Sequence, residues 1–365
     1  MKHLSVRPGL EDIEPYVSPQ RPARYRMNTN ESPYAPPQQL VDEVTRELAA
    51  SEFNRYPDKD AKDLQTALCA HTGWPEEGLW IANGSNEVFL QLFLAYGGSN
   101  RKAITFEPTY SLHSLIARIT DTGSVTASRP EGWTLDVPSV EVALDREDVD
   151  IALLCSPNNP TGAAEPLKVI EHLLQRVPLV VVDEAYIEFA RPEASARSLL
   201  DEHENLVITR TFSKAWRLAG ARLGYLLAHA SVVEGLHKVR LPYHLSSPSQ
   251  LLGLAALRSS DATLEAVEAI KRERQAITEG LRGMGITAYA SDANFVLFEV
   301  DAAGGEAGEA TTVLWESLLS RGVLVRSYAK DPLLSNCLRV TAGTPEETSA
   351  FLEAIEEVVG AQATV

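Results

Sequence analysis

The amino-acid sequence predicts an α/β protein, with a large domain built on a mainly parallel central sheet between helices and a smaller α+β carboxyl-terminal domain. The length of 365 residues suggests about two domains. Two fully apolar runs, Ile151–Cys155 and Leu179–Val182, are typical of strands buried on both faces of a parallel sheet. Helical patterns such as Leu167–Arg176 alternate with these runs and would provide the crossover connections of the sheet.

The first elements of the chain lead into the predicted large domain. Residues 1–37 are rich in proline, arginine and asparagine, which predicts an extended arm with turns. Residues 38–265 form the large domain, and Leu40–Ala50 has apolar residues at helical spacing. The other strands predicted for this domain are Ala103–Phe106, Leu206–Thr209 and Gly224–Ala228.

Residues 266–365 form the predicted small domain, which follows a long helical stretch at Thr263–Met284. The repeating apolar pattern then changes between strand and helix periods, which indicates mixed structure. The predicted strands are Asn294–Val300 and Val323–Arg326, and the predicted helices are Thr311–Arg321 and Pro345–Val359. A glycine-rich loop at Ala302–Gly308 would join two of these elements.

The composition excludes several classes of protein. With 33 lysine and arginine residues against 50 aspartate and glutamate residues, the formal net charge is −17, which repels the phosphates of nucleic acid. A content of 44% hydrophobic and 23% charged residues excludes a disordered chain. No apolar run approaches the roughly 18 residues that a membrane span needs. We therefore expect neither a nucleic acid nor a membrane as a partner.

The cysteines and the first residues bear on location. Cys69, Cys155 and Cys337 are scattered without CxxC spacing, which indicates a reducing compartment and argues against a disulfide framework or a metal site. The opening segment MKHLSVRPG lacks the apolar core of an export signal. The sequence therefore predicts a cytoplasmic protein without a metal.

Two of the segments that could carry chemistry place polar groups directly after buried strands. In parallel α/β sheets, ligands bind beyond the carboxyl ends of the strands. IALLCSPNNPTG presents Asn159 in a turn stiffened by two prolines, although an ordinary turn would explain that pattern equally well. LVVVDEAY brings Asp183 and Glu184 to the end of an apolar strand, where a carboxylate is costly unless it meets a cation or hydrogen-bond donors. One of the two acids could instead serve only as a helix cap.

Two further segments supply an amine and a place for an anion. Lys214 follows a strand in a segment rich in hydroxyl groups and small residues, which favours a buried amine over an ordinary surface lysine. Gly84, Ser85 and Asn86 stand where a helix begins, and free backbone N–H groups there can bind an anion. Serine and asparagine are also common caps in any protein, so this second pattern is weak alone. Together the four segments supply what pyridoxal 5'-phosphate requires.

The same segments carry a resemblance to a known family. SPNNPTG, VVDEAY and TFSKAWRLAGARLGY, in this order and spacing, resemble the pyridoxal-phosphate-dependent aminotransferases of fold type I. NTNESPYAPP in the arm, RYPD, NGSNE, EPTYS and LRVTAGTPEE resemble the histidinol-phosphate aminotransferase family within that fold type. The resemblance covers essentially the whole chain and implies the fold-type-I architecture.

The resemblance implies a role for each residue that would hold the cofactor. Lys214 would attach it covalently and later carry the proton at the substrate Cα, while Asp183 would pair with the ring nitrogen. Asn159 and Tyr186 would bind the phenolic oxygen of the ring, and Lys214, Asp183 and Tyr186 are the expected catalytic residues. The full set of expected cofactor-binding residues is Tyr56, Gly84, Ser85, Asn86, Tyr110, Asn159, Asp183, Tyr186, Thr211, Ser213, Lys214 and Arg222. Tyr56 would reach the cofactor phosphate of a neighbouring subunit, which implies a homodimer with shared active sites.

The resemblance also implies a substrate site. Arg339 would bind a substrate carboxylate, and Arg326 with Tyr16 would help to bind a substrate phosphate, because an arginine fork suits both groups. A solvated charge at a strand end is the alternative for Arg326. The full set of expected substrate-binding residues is Tyr16, Asn30, Glu31, Asn159, Arg326 and Arg339.

The activity implied is transamination between L-histidinol phosphate and 2-oxoglutarate in histidine biosynthesis. Three alternatives stay open on the sequence. An aromatic amino-acid aminotransferase would share every cofactor residue, and a decarboxylase of the phosphothreonine type would need no 2-oxoglutarate. A regulator built on an aminotransferase fold would need an added nucleic-acid-binding domain, and residues before Pro37 are too few to form one.

Overall fold

The computed structural model describes residues 4–14, 20–301 and 306–362. Its strands are β1 (Tyr25–Arg26), β2 (Leu79–Ala82), β3 (Lys102–Glu107), β4 (Gly123–Ser128), β5 (Ile151–Cys155), β6 (Leu179–Asp183), β7 (Leu206–Thr211), β8 (Gly224–Ala228), β9 (Phe295–Glu299), β10 (Val323–Leu324), β11 (Arg326–Ser327) and β12 (Cys337–Thr341). Its α-helices are α1 (Gln38–Ala50), α2 (Lys62–Thr72), α3 (Ser85–Tyr96), α4 (Leu112–Ile119), α5 (Val137–Leu144), α6 (Leu167–Arg176), α7 (Ala230–His237), α8 (Ser247–Arg258), α9 (Ser260–Gly283), α10 (Ala307–Ser320) and α11 (Pro345–Gln362).

The large sheet has seven strands in the order β2-β8-β7-β6-β5-β3-β4. Its pairs are parallel except those that β8 makes with β2 and β7, so six strands share one direction. Every residue of β5 and β6 is buried, as a strand covered by helices on both faces must be. The carboxyl ends of β5, β6 and β7 therefore open side by side at one edge of the sheet.

The packing of helices against this sheet follows from their apolar faces. Helix α6 buries Val169, Ile170, Leu173 and Leu174, which recur at helical spacing. Helix α3 buries Val88, Phe89, Leu92 and Phe93 in a separate cluster that covers the other face of the sheet. A helix layer on each face gives the architecture predicted from the apolar runs, and none of the helices among the described residues is long and apolar enough to span a membrane.

The carboxyl-terminal part contains a three-stranded antiparallel sheet in the order β11-β12-β9. Strand β1 of the arm pairs in parallel with β10, so the arm is joined to this part of the chain by main-chain hydrogen bonds. Helix α9 runs without interruption through the predicted domain boundary at residues 265 and 266. The division into residues 1–37, 38–265 and 266–365 remains a prediction.

Candidate active site

A cleft of about 650 Å³ opens at the carboxyl ends of β5, β6 and β7, between the large sheet, the arm and the β11-β12 pair. Residues from distant parts of the sequence meet there because the parallel strands end at the same edge. Fourteen of the residues expected at the site line it: Asn30, Glu31, Ser85, Asn86, Tyr110, Asn159, Asp183, Tyr186, Thr211, Ser213, Lys214, Arg222, Arg326 and Arg339.

Lys214 reaches the cleft from the segment after β7. Its Nζ donates a hydrogen bond to the backbone oxygen of Thr29 at 3.1 Å and lies 5.8 Å from the ring centre of Tyr186. Burial, together with the positive charge of Arg339, lowers the pKa of the Lys214 amine to about 8. An amine with this pKa is about one tenth unprotonated at pH 7, far more than an ordinary lysine, and the unprotonated form is the one that acts as a nucleophile or a proton carrier.

Asp183 ends β6 with its side chain towards the cleft, and only 3% of its surface is exposed. Its carboxylate accepts hydrogen bonds from the backbone N–H of Ala185 at 3.2 Å and the hydroxyl of Thr209 at 3.3 Å. The Nε2 atom of His113, on α4, lies 3.2 Å from the second carboxylate oxygen. These contacts hold a buried carboxylate in one orientation, which suits a group that must meet a positively charged ring nitrogen.

Glu184, the neighbouring acid, faces away from the cleft. Its carboxylate accepts two hydrogen bonds from the guanidinium of Arg210 and one from the backbone N–H of Ala196. The hydroxyl of Ser195 donates to both carboxylate oxygens. The structure thus separates the two acids of VVDEAY: Asp183 lines the cleft, and Glu184 forms a buried ion pair behind it.

Two side-chain pairs join the arm and β12 to the sheet edge. The hydroxyl of Tyr186 accepts a hydrogen bond from the amide of Asn30 at 3.0 Å, and burial raises the pKa of that hydroxyl. The side-chain oxygen of Asn159 accepts a hydrogen bond from Arg339. Asn30 has a φ of 54° and is held further by hydrogen bonds with Thr341 and Asn294. The wall of the cleft beside Lys214 is therefore fixed by contacts between distant parts of the chain.

Polar donors converge at the start of α3. Gly84 precedes this helix with a φ of 83°, a conformation that favours glycine. The first backbone N–H groups of a helix have no partner within the helix, so they remain open to an anion. A Cβ atom on Gly224 would lie 2.5 Å from the backbone nitrogen of Ser85, so glycine lets β8 approach this turn. The guanidinium of Arg222 lies 3.5 Å from the hydroxyl of Ser213, which in turn accepts from Thr211 at 3.0 Å. This set of donors could bind a phosphate group.

Arg326 and Arg339 stand opposite each other on the antiparallel β11-β12 pair. Arg339 is 6% exposed and donates to Asn159, to the hydroxyl of Tyr328 at 3.1 Å and to the backbone oxygen of Asn28 at 2.9 Å. The Cζ atom of Arg326 lies 6.0 Å from the ring centre of Tyr328. Two cations on one wall make the cleft positive within an acidic protein.

The structure does not bring every expected residue to the cleft. The side chain of Tyr56 is not among the lining residues; Tyr56 is 79% exposed and stacks on Tyr243 with ring centres 4.4 Å apart. Gly84 shapes the turn without lining the cleft, and Tyr16 lies outside the described residues. Sequence analysis missed His113 and Tyr328. His113 lies two positions after EPTYS, so that motif was the available signal for it.

Comparison with known proteins agrees with the fold and the motifs. The family model for aminotransferase class I and II matches residues 25–355. The histidinol-phosphate aminotransferase of Frankia casuarinae is 46% identical over 96% of this chain and 89% of its own length. That of Thermobifida fusca is 43% identical over 98% of this chain and 96% of its own length.

Solved structures show the same architecture. Histidinol-phosphate aminotransferase from Sinorhizobium meliloti, solved in complex with pyridoxal 5'-phosphate, superposes with a TM-score of 0.88 at 25% identity, covering 98% of both chains. An aspartate aminotransferase mutant from Thermus thermophilus, at 22% identity, gives a TM-score of 0.82 over 97% of this chain and 99% of its own, which supports the fold alone. The predicted fold type is thus confirmed. The chain belongs to the class I and II aminotransferases and, within them, to the histidinol-phosphate aminotransferase family.

Proposed function

We propose that this protein transfers the amino group of L-histidinol phosphate to 2-oxoglutarate, which yields imidazole acetol phosphate and L-glutamate in histidine biosynthesis. The observation that carries the proposal is a single cleft that combines an amine of lowered pKa, a buried carboxylate and two opposed arginines. Close relatives that bear the histidinol-phosphate aminotransferase name support the same reaction.

We infer that the cofactor is pyridoxal 5'-phosphate, since the groups around the cleft suit each part of it. The turn before α3, with Ser213 and Arg222, offers donors to a phosphate. Asp183 offers a fixed negative charge to a ring nitrogen, and Tyr186 and Asn159 offer polar atoms to a ring oxygen. When bound, the cofactor would supply an electron sink for negative charge that develops at the substrate Cα.

The residues of the chain then have distinct tasks. Lys214, in its unprotonated form, would accept the proton from the substrate Cα and deliver it to the cofactor carbon that is bonded to the transferred nitrogen. His113 and Thr209 keep the Asp183 carboxylate oriented while charge moves towards it. Arg339 and Arg326 bind the anionic groups of the two substrates, a carboxylate and a phosphate ester, which one arginine-lined wall can accept in turn.

A donor panel tests the proposed substrate. Purified protein with added pyridoxal 5'-phosphate and 2-oxoglutarate is assayed with L-histidinol phosphate, L-phenylalanine and L-tyrosine. We expect kcat/KM for histidinol phosphate to exceed that for either aromatic amino acid at least about tenfold, because a phosphate in place of the carboxylate offers more negative charge and more acceptor atoms to the two arginines. Lys214→Ala is the matched control and should show no transamination with any donor.

Three outcomes would change the proposal. A large preference for phenylalanine or tyrosine would assign the protein to the aromatic amino-acid aminotransferases. Release of carbon dioxide without 2-oxoglutarate would identify a decarboxylase of the phosphothreonine type. An active Lys214→Ala variant would exclude this amine as the essential group.

Alongside this function we propose a homodimer and a cytoplasmic location. We also propose that Tyr56 contributes to the partner's site and that Tyr16 contributes to phosphate binding. What supports a shared site is the high exposure of Tyr56, which does not line the cleft of its own chain. A cytoplasmic setting is supported by three cysteines that are all free thiols.

A further inference from the structure

The two arginines of the cleft are placed where their charges should repel. Arg326 and Arg339 are direct partners in the antiparallel register of β11 and β12. Residues directly opposite in such a pair have Cβ atoms about 4.5–5.5 Å apart on the same face, and like charges there are destabilising. Other residues must therefore stabilise the two guanidinium groups on this wall so that both can bind a substrate.

Tyr328 is a residue that contacts both of them. It follows Arg326 by two positions, so its side chain projects on the same face as both arginines. Its ring centre is 6.0 Å from the Cζ atom of Arg326 and 6.0 Å from that of Arg339. The negative face of an aromatic ring attracts a cation at this distance, so one ring moderates both charges.

The hydroxyl of Tyr328 adds a hydrogen bond to Arg339. It accepts a hydrogen bond from Nη1 of Arg339 at 3.1 Å, which adds to the bonds from that guanidinium to Asn159 and to the backbone oxygen of Asn28. Phe295 lies under the same guanidinium, with its ring centre 5.0 Å from Cζ. Arg339 is thus a fork held in one orientation, which suits a planar carboxylate.

Arg326 is held far less firmly. It is half-buried, and within the described ranges no carboxylate lies at ion-pair distance from it. The Tyr328 ring is the cation–π contact that the structure gives it. An arginine with this freedom can adjust to a tetrahedral phosphate, whose oxygens do not lie in one plane.

We propose that Tyr328 is a positioning residue that gives the two arginines separate substrates. Its hydroxyl aims Arg339 at the carboxylate of the amino-acid substrate, and its ring keeps Arg326 apart and available to the phosphate of the other substrate. This inference rests on the proposed function, because it divides the two substrates of that reaction between two side chains.

The test removes the hydroxyl and the ring in two steps. Tyr328→Phe keeps the ring beside both arginines but loses the hydrogen bond to Arg339, whereas Tyr328→Leu loses both. The control is Tyr289→Phe, because Tyr289 packs in the same small cluster, donates its hydroxyl to Glu299 at 2.6 Å and does not line the cleft. Each holoenzyme is measured in single-turnover half-reactions with L-glutamate and with L-histidinol phosphate, and in binding of unreactive maleate and inorganic phosphate.

For Tyr328→Phe we expect kcat/KM for glutamate to fall and Kd for maleate to rise about tenfold, the effect of one lost hydrogen bond to a charged group. The histidinol phosphate reaction and phosphate binding should change less than about twofold. In Tyr328→Leu both substrates should weaken about tenfold, and Tyr289→Phe should match the wild type in all four measurements.

Equal losses for both substrates in Tyr328→Phe would show a merely structural role and overturn the proposal, as would wild-type values in all four measurements. The failure of the proposed function would look different. In that case the wild type would not react with histidinol phosphate. A comparison of the Kd values of the variants for maleate and for phosphate would still decide the role of Tyr328.

Discussion

Asp183 and Glu184 are adjacent in sequence, yet their environments differ because successive side chains at the end of a strand point to opposite sides. Asp183 meets His113, Thr209 and the cleft, whereas Glu184 is buried against Arg210. The same chemical group thus lines the cleft in one position and supports the packing of the fold in the next. At the scale of single residues, this difference can be tested directly.

We expect Asp183→Ala and Glu184→Ala to have opposite effects. Asp183→Ala should keep the thermal stability of the wild type and lose at least about a hundredfold in kcat/KM, because a fixed charge at the reacting group is removed. Glu184→Ala leaves Arg210 buried without its partner, which should lower the free energy of unfolding by about 3–5 kcal/mol. Denaturant unfolding and steady-state kinetics on both variants measure the two effects.

These roles of Asp183 and Glu184 would be wrong if the losses of activity and stability were exchanged between the two variants. An active Asp183→Ala protein would mean that another acid meets the ring nitrogen. A Glu184→Ala protein that unfolds like the wild type would mean that Arg210 finds other partners. Arg118→Ala, at an exposed helix end, is a control for substitution on the surface.

At the scale of elements, the arm is a structural part of the cleft. It pairs with β10 through β1, its Thr29 carbonyl accepts the Lys214 hydrogen bond, and its Asn30 binds Tyr186. Arg217, three positions after Lys214, binds the same arm from the other side: its guanidinium donates to the backbone oxygen of Ala35 at 3.1 Å and also to the backbone of Ala262. The arm is therefore held at two points beside the amine.

Arg217→Ala should remove the contact between this side chain and the arm at Ala35. Arg217 has a φ of 60°, which most residues avoid, so the contacts of its side chain offset a strained backbone. We expect KM for both substrates to rise severalfold while kcat changes less than about twofold, because the arm loses its contact at Ala35 while Asn30 and Lys214 keep their own hydrogen bonds. Steady-state kinetics and the rate of limited proteolysis in the arm report the change.

Arg217→Lys is the matched variant, since lysine keeps the positive charge but lacks the forked guanidinium that donates to both backbone oxygens. It should fall between the wild type and Arg217→Ala in both measurements. A large loss of kcat in Arg217→Ala, with KM unchanged, would show instead that Arg217 acts on Lys214 through the backbone.

At the scale of the whole molecule, the sequence predicted the strands and motifs that a local pattern of residues identifies. Continuous apolar runs identified β5 and β6, and the motifs around Lys214 and Asp183 marked the sheet edge. Strand β4 was missed because it is an edge strand that alternates exposed and partly buried residues, and the reversed direction of β8 is not encoded in its five buried residues. His113 acts on Asp183 from 70 positions away, so only the folded chain reveals that contact.

The exposed Tyr56 leads to a prediction about two chains rather than one. It stacks on Tyr243 outside the cleft of its own chain, so its proposed contact with a cofactor phosphate requires a second copy. Co-expression of Lys214→Ala and Tyr56→Ala subunits separates the possibilities. In a mixed dimer with shared sites, one site contains both defects and the other contains neither, so about half of the wild-type activity per dimer should return. Tagging the two subunits differently allows the mixed dimer to be purified and assayed at limiting pyridoxal 5'-phosphate. If Tyr56 served its own subunit, each site would keep one defect and the mixed dimer would remain as weak as its parents.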